Sequence, residues 1–335
     1  MKIKSLFLPS TIKFWKEGHR TPGYALFDWL HGYFYGRWTY LYIGIGTGEH
    51  PLAKKLAQLW KSINSLIQFF RPKSGAVETA SSDSPDGCVT FADTYHGKVV
   101  PLEAARQLLT LNADIQLPNL EKIIPYARAR DIILKNPDHI AALDCPCRAS
   151  RANPCLPLDV CLVVGEPFAS FVTEHHPQRS RRISPIEAVQ ILSAEDERGH
   201  VHHAFFKDAM LDRFYAICNC CSCCCGAMQA HQNGTPMLAS SGYLCQVDLI
   251  TCIACRICAD YCQFHALSLG EDACSVDMKA CMGCGVCVSK CDQGAISLVR
   301  DPQRGEPLEI LNLLAEETCL AELFSEIHEE LILAS

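Results

Sequence analysis

The chain has 335 residues, of which 49% are hydrophobic and 20% charged, a composition typical of a globular protein with room for two or three domains. Its net charge of −7 disfavours a nucleic-acid partner, because phosphate binding needs clustered Lys and Arg, and the densest basic run, at 179–182, is short.

The cysteine content is unusually high, with 22 cysteines that could be a disulfide framework or metal ligands. The first apolar run is too short for the core of a signal peptide, because Lys4 and Pro9 interrupt it. No stretch approaches the roughly eighteen apolar residues of a membrane span. We therefore expect a cytoplasmic protein with reduced, metal-bound cysteines, in an anaerobic host because such centres are oxygen-labile.

The N-terminal region, 1–70, is predicted to be helical and rich in aromatic residues. Residues 24–42 hold nine aromatics, which suit a packing segment over the metal domains or a docking surface for a partner or a membrane interface. Residues 51–70 have the apolar period of an amphipathic helix. The Pro, Ser, Gly and Asp content of 71–88 predicts a linker.

Residues 89–235 are predicted to form a cysteine-rich α+β metal-binding domain. Apolar periodicity predicts helices at 101–111 and 120–135, and a short strand at 139–143 that leads to the first thiols. Ser184 begins a run with proline next and Glu187 at the third helical position, a capping box that predicts a helix ending at Gly199.

This domain holds two groups of cysteines. Adjacent side chains on an extended chain point apart, so the thiols cannot all face one cluster. We expect one or two further iron-sulfur clusters, or one larger cluster, shared among Cys145, Cys147, Cys155, Cys161, Cys218, Cys220, Cys221, Cys223, Cys224 and Cys225. Between the groups lies an apolar strand with three histidines of open role, His200, His202 and His203.

Two further cysteine runs follow at a constant offset of 29 residues, each with the spacing C-x-x-C-x-x-C-x-x-x-C. This spacing holds [4Fe-4S] clusters, with the fourth cysteine of each run ligating the other run's cluster, whereas zinc knuckles would leave two cysteines of each run unused. The predicted ligands are Cys252, Cys255, Cys258 and Cys291 for cluster 1, and Cys281, Cys284, Cys287 and Cys262 for cluster 2.

Residues 243–299 resemble a bacterial-type ferredoxin with two [4Fe-4S] clusters. The likeness includes Val247-Asp248 and the repeated endings at 266–269 and 295–298. That family usually has proline after each fourth cysteine, where this chain has Gln263 and Asp292. The resemblance implies a ferredoxin-like two-cluster domain over 243–300.

A second resemblance covers about 139–300. Uncharacterised iron-sulfur proteins of anaerobes carry a C-x-C-R element, two later cysteines and a C-N-C-C-x-C-C run ahead of a ferredoxin domain. The matching residues here are Cys145, Cys147, Arg148, Cys155, Cys161 and 218–225. The resemblance implies clusters but no particular reaction.

The last region, 301–335, is predicted to be a helical tail. Four cysteines fit no ligand pattern and are interpreted as ordinary thiols: Cys88, Cys245, Cys274 and Cys319. The whole chain is therefore predicted to be α+β, with a ferredoxin-like domain attached to a cysteine-rich domain and a helical N-terminal region.

The predicted function is relay of single low-potential electrons between redox partner proteins, through two ferredoxin-type clusters and the further cysteine-rich centre. An electron carrier or redox subunit is favoured over a stand-alone enzyme. The alternative is a reductase, and hence an oxidoreductase, whose active centre is a cluster in the 145–225 region, with Arg148 as an anion anchor and the strand histidines as proton donors.

Overall fold

The fold is described from a computed structural model. The described residues are 8–51, 53, 95–111, 114–115, 123, 132–133, 139–270 and 272–315. The predicted helix at 51–70, the linker at 71–88, most of the predicted helix at 120–135 and the tail beyond 315 lie outside them.

The helices of the described residues are mostly short. They are α1 (Pro9–Arg20), α2 (Leu26–Arg37), α3 (Thr39–Gly46), α4 (Leu102–Thr110), α5 (Pro146–Ala149), α6 (Phe168–His175), α7 (Pro185–Glu197), α8 (Gly226–Gln232), α9 (Ile257–Asp260) and α10 (Val286–Ser289).

Within the described ranges, the strands form one large sheet and three two-stranded sheets. They are β1 (Tyr95–Val100), β2 (Asp114–Ile115), β3 (Ile132–Ile133), β4 (Ile140–Leu143), β5 (Cys161–Val164), β6 (Ser180–Ile183), β7 (Val201–Lys207), β8 (Arg213–Cys220), β9 (Leu238–Ala239), β10 (Tyr243–Val247), β11 (Leu267–Leu269), β12 (Cys274–Val276) and β13 (Ile296–Arg300).

The large sheet has the order β6-β4-β5-β8-β7-β1-β9, and every neighbouring pair is antiparallel except β1 with β9. One face packs against α4 and α7 through small and branched residues such as Ala105, Leu108 and Leu192. Phe14 of α1 and Phe168 and Phe171 of α6 pack on the other face, together with several cysteines. The chain is therefore α+β, as predicted. We call residues 95–239 the cysteine-rich part.

Several predicted elements are confirmed. The strand expected at 139–143 is β4, and the helix expected at 101–111 is α4. Ser184 caps α7 by accepting a hydrogen bond from the backbone N–H of Glu187 at 3.2 Å, and Gly199 follows the helix with φ of 78°. The end of the helix predicted at 120–135 is wrong, because the β-branched pair Ile132–Ile133 forms a strand with Asp114–Ile115.

Residues 243–300, the ferredoxin-type part, repeat one backbone path twice. Strand β10 pairs with β13 and β11 pairs with β12. Three pairs of residues 29 positions apart share a left-handed backbone: Ala254 with Gly283, Arg256 with Gly285, and His265 with Gly294. Glycine adopts this conformation without the steric cost that alanine and arginine bear. The two cysteine runs therefore follow the same backbone path.

Candidate metal centres

Each half of the ferredoxin-type part contains a cavity lined by cysteines. The inner cavity is lined by Cys262, Cys281, Cys284 and Cys287. The outer cavity is lined by Cys252, Cys255, Cys258 and Cys291. The fold thus gathers the two crossed sets of four thiols that the spacing predicts, and the donor chemistry fits one [4Fe-4S] cluster in each cavity.

Backbone N–H groups point at the sulfurs in both halves. Ala266 N–H lies 3.3 Å from the sulfur of Cys262, and Ala295 N–H lies 3.3 Å from the sulfur of Cys291. Cys245 N–H approaches the sulfur of Cys281 at 3.5 Å. Such hydrogen bonds stabilise thiolates and set the potential of a bound cluster.

Each cavity also contains a fifth cysteine that the sequence reasoning missed. Cys245 lines the inner cavity with its sulfur 3.6 Å from that of Cys287, and Cys274 lines the outer cavity 3.4 Å from Cys258. Both are buried. They are 29 positions apart, so the repeat itself carried the signal. The spacing alone did not predict that these two thiols would lie beside the candidate ligands.

Burial raises the pKa of several of these thiols. Burial raises the pKa of Cys284 and of Cys281, and burial together with the Cys274 thiol raises that of Cys258 to about 12. These three thiols therefore hold their protons unless a metal displaces them, so cluster binding must release protons from them.

The fold divides the ten cysteines of the cysteine-rich part into two groups. The six-cysteine group is formed by strand pairing, because Cys161 of β5 lies opposite Cys218 of β8 and Cys220 follows on the same face. Cys145 interacts with Cys147 and Cys161, and Cys225 interacts with both Cys147 and Cys220. The members are Cys145, Cys147, Cys161, Cys218, Cys220 and Cys225.

The four-cysteine group consists of Cys155, Cys221, Cys223 and Cys224, whose four sulfurs all lie within 4.8 Å of one another. Three of them occupy the turn between β8 and α8, and Cys155 comes from the proline-rich segment before β5. Among the described residues this is the only set of three or more Cys, His, Asp or Glu ligand atoms so closely spaced. No three sulfurs of the six-cysteine group all lie within that distance of one another.

Aromatic residues of the 24–42 segment cover the six-cysteine group. Tyr35 of α2 lies near Cys218 and Cys147 and shares a 2.9 Å hydrogen bond with Tyr215. Tyr40 of α3 lies near Cys161 and donates to the carbonyl of Asp144 at 2.9 Å. These contacts match the packing interpretation. Four apolar side chains of the same segment are exposed: Leu26, Phe27, Leu30 and Phe34.

The residues proposed for a reductase site have other partners. Arg148 is buried, and it donates to Glu195 at 2.6 Å and to the carbonyls of Pro157 and Asn219. It is therefore not available as an anion anchor. His200 also contacts Glu195, at 2.7 Å. This network holds the C-terminal end of α7 against α5, the short helix after β4.

The two remaining histidines are internal. His202 contacts the Asn219 side chain at 2.6 Å on the α7 side of the sheet. His203 is fully buried on the opposite side, as strand alternation predicts, and burial and the charge of His202 lower its pKa to about 3. A neutral, enclosed imidazole is poorly suited to donate protons to a substrate.

His203 lies between the six-cysteine group and the inner cavity. It is directly opposite Cys218 in the β7–β8 pair, and its ring lies 6.5 Å from that of Phe264, centroid to centroid. Phe264 in turn lines the inner cavity. Met282 and Val286 of that cavity also pack into the core that contains Cys161 and Cys220.

Gln263, one of the two residues that replace the usual proline, joins the two parts. Its side-chain oxygen accepts hydrogen bonds from the backbone and hydroxyl of Ser222 at 2.9 and 3.0 Å, and its amide donates to Gly199. Asp292, its counterpart, is exposed. Proline could make neither contact, so the departure from the ferredoxin pattern has a structural reason.

Comparison with known proteins identifies the second run. A family model described as a 4Fe-4S binding domain matches residues 275–297, which contain Cys281, Cys284, Cys287 and Cys291. No curated protein and no solved structure matches the chain. In the described part of the chain, no helix has both the length and the apolar character needed to cross a bilayer. The family match shows that the chain carries a ferredoxin-type iron-sulfur binding motif, and this motif lies within a larger α+β protein.

Proposed function

We propose that this protein relays single electrons through three iron-sulfur centres: one [4Fe-4S] cluster in the outer cavity, one in the inner cavity and a further cluster held by the six-cysteine group. When bound, such clusters accept and release one electron each at low potential. The observation that carries this proposal is the division of the eight repeated cysteines into two cavities of four.

The order of the centres follows from their surroundings. The outer cavity is bordered by Ile253, which is 63% exposed, and by the exposed ligand Cys255. A redox partner can approach there, with exposed Leu249 and Ile250 offering apolar contact area. The inner cavity adjoins the six-cysteine group through Phe264 and His203, which supports an order with the inner centre between the other two.

The partners are redox proteins, and the acidic chain favours one with a basic docking face. The exposed apolar side chains of α2 are a second candidate docking surface within 24–42, for a partner or a membrane surface. The reductase alternative receives less support, because Arg148 and the histidines that it requires are enclosed and partnered.

Anaerobic purification with iron and acid-labile sulfide counts, and EPR of the reduced protein, tests the proposal. Two [4Fe-4S] clusters alone give about eight irons per chain, and a further four-iron cluster raises the count to about twelve. Cys161→Ser should lower the count toward eight and leave the EPR signals of the other two clusters. An iron content near eight that is unchanged in Cys161→Ser would contradict the third centre.

A further inference from the structure

The four-cysteine group differs in scale from the other thiol sites. The sulfurs of Cys155 and Cys223 are 3.2 Å apart, and those of Cys223 and Cys224 are 3.7 Å apart, with all four within 4.8 Å. Zinc bound tetrahedrally with Zn–S bonds of about 2.3 Å holds its sulfurs roughly 3.8 Å apart. A cubane binds its thiolates through four separate irons and spaces them more widely.

We propose that Cys155, Cys221, Cys223 and Cys224 form a closed tetrahedral site for a single metal ion, Zn²⁺ or Fe²⁺, distinct from the iron-sulfur clusters. Four thiolates complete the coordination of either ion and leave no position for a substrate. The site is therefore structural, and it ties the proline-rich segment before β5 to the turn after β8.

Neighbouring side chains hold the ligands in place before any ion binds. Gln229 of α8 donates to the carbonyl of Cys223 at 3.0 Å, and Arg151 donates to the carbonyl of Cys224 at 3.0 Å. Arg151 also donates to the Gln229 side chain at 2.6 Å. Such supporting hydrogen bonds are characteristic of built metal sites.

The same turn carries the contact with the ferredoxin-type part, because Ser222 lies between two of the ligands and donates to Gln263. Gln263 follows Cys262 of the inner cavity directly. An ion at the four-cysteine group thus fixes the turn on which the inner cavity rests.

The test is elemental analysis of the anaerobically purified protein for zinc, iron and sulfide, from cells supplied with both metals. We expect one ion per chain that has no matching sulfide and that is lost in Cys223→Ser and in Cys155→Ser, with the remaining iron and sulfide unchanged. Zinc and mononuclear iron are distinguished directly by the analysis. Ser222→Ala, in the same turn, is the control and should keep the ion.

Loss of about four irons together with four sulfides in Cys223→Ser would overturn the proposal, because it would assign these thiols to a cubane. Absence of any ion beyond the cluster iron in the wild-type protein would also overturn it. Neither outcome bears on the eight repeated cysteines, so the proposal can fail while the relay stands.

A second inference concerns the fifth cysteine of each cavity, and it rests on the proposed cluster binding. Cys274 lies 3.4 Å from the ligand Cys258, and its repeat counterpart Cys245 lies 3.6 Å from Cys287. A sulfur that ligates iron carries no proton, so only the fifth thiol can donate a hydrogen bond across this contact. Each contact crosses between the two halves, as the ligation does.

We infer that Cys274 and Cys245 are positioning residues that raise the potential of the outer and inner cluster respectively. A hydrogen bond to a ligand sulfur offsets the charge added on reduction and so favours the reduced state. Each thiol acts through its neighbouring ligand and needs no direct contact with iron.

EPR-monitored potentiometric titration tests this role. Cys274→Ala should disfavour reduction of the outer cluster by up to about tenfold, which corresponds to about 59 mV for one electron, and leave the inner cluster unchanged. Cys245→Ala should do the reverse. Serine at either position keeps a donor and should restore most of the shift.

Unchanged potentials in both alanine variants, with both clusters present, would overturn this role. Loss of the outer cluster's irons in both Cys274→Ala and Cys274→Ser, with the inner cluster retained, would also overturn it. That result would make Cys274 a ligand. Absence of both clusters from the wild-type protein would instead refute the proposed function.

Discussion

In the ferredoxin-type part, eight candidate ligands come from two runs that repeat one backbone path 29 residues apart. In the cysteine-rich part, ten thiols come from four separate segments between 145 and 225, and strand pairing brings them together. The first arrangement is local and symmetric, and the second depends on the sheet. The difference teaches that cysteine spacing identifies a centre only where the chain itself wraps it.

The largest expected effect tests the symmetric half of this comparison. Cys262→Ala should remove the inner cluster, about four irons, and leave the outer cluster, because Cys262 lines the inner cavity. Cys291→Ala is the matched variant and should do the opposite. Iron counts with EPR of each reduced variant provide the measurement. If Cys262→Ala removes the outer cluster instead, the crossed arrangement is wrong.

A buried lysine in the sheet of the cysteine-rich part should make the free energy of unfolding depend on pH, by about a few kcal/mol. Lys98 of β1 donates to the carbonyl of Glu306 at 2.7 Å, and burial and the charge of Arg300 lower its pKa to about 7. Between pH 7 and its ordinary pKa, the unfolded chain binds a proton that the folded chain lacks. Stability should therefore rise with pH across that window.

Lys98→Met should weaken this dependence, whereas Lys207 of β7, whose pKa is lowered by burial to about 8, should keep its own contribution. We expect the variant to be more stable than the wild-type protein at pH 7, with the difference shrinking toward pH 10, in anaerobic thermal unfolding followed by circular dichroism. Lys16→Met, at an exposed position of α1, is the control and should not change the profile. A difference that stays constant with pH would show that Lys98 is charged in the folded protein.

A smaller effect is expected where the two halves of the repeat differ. Gln263→Ala removes both hydrogen bonds to Ser222 and should cost about 1–3 kcal/mol. Hydrogen exchange at the Ser222 amide should become correspondingly faster. Asp292→Ala, at the exposed equivalent position, should change stability by less than about 0.5 kcal/mol. Equal effects of the two substitutions would contradict the asymmetry.

Sequence alone predicts the local features well. The spacing within each cysteine run and the capping run at Ser184 depend on neighbours a few residues apart, and the structure contains the matching cavities and helix. The same offset also relates Cys245 to Cys274, but spacing rules for ligands do not extend that far before a run.

The remainder could not be predicted because it depends on long-range pairing. The division into six and four cysteines follows from the register of Cys161 with Cys218, 57 positions apart, and from the turn that follows β8. In the sequence Arg148 was a candidate anion anchor, but in the structure it forms an ion pair with Glu195. The isoleucines at 132–133 fit the apolar period of a helix, but in the structure they pair with residues 114–115 as a strand.

The central claim is that electrons pass between two ferredoxin-type clusters and a third centre in the six-cysteine group. Anaerobic coulometric titration of the wild-type protein and of Cys161→Ala/Cys218→Ala tests it most directly, with the EPR signals of the other two clusters as the control for folding. Because each centre takes one electron, we predict about three electrons per chain in the wild-type protein and about two in the variant. Equal numbers in the two proteins, with both cluster signals intact, would contradict the account.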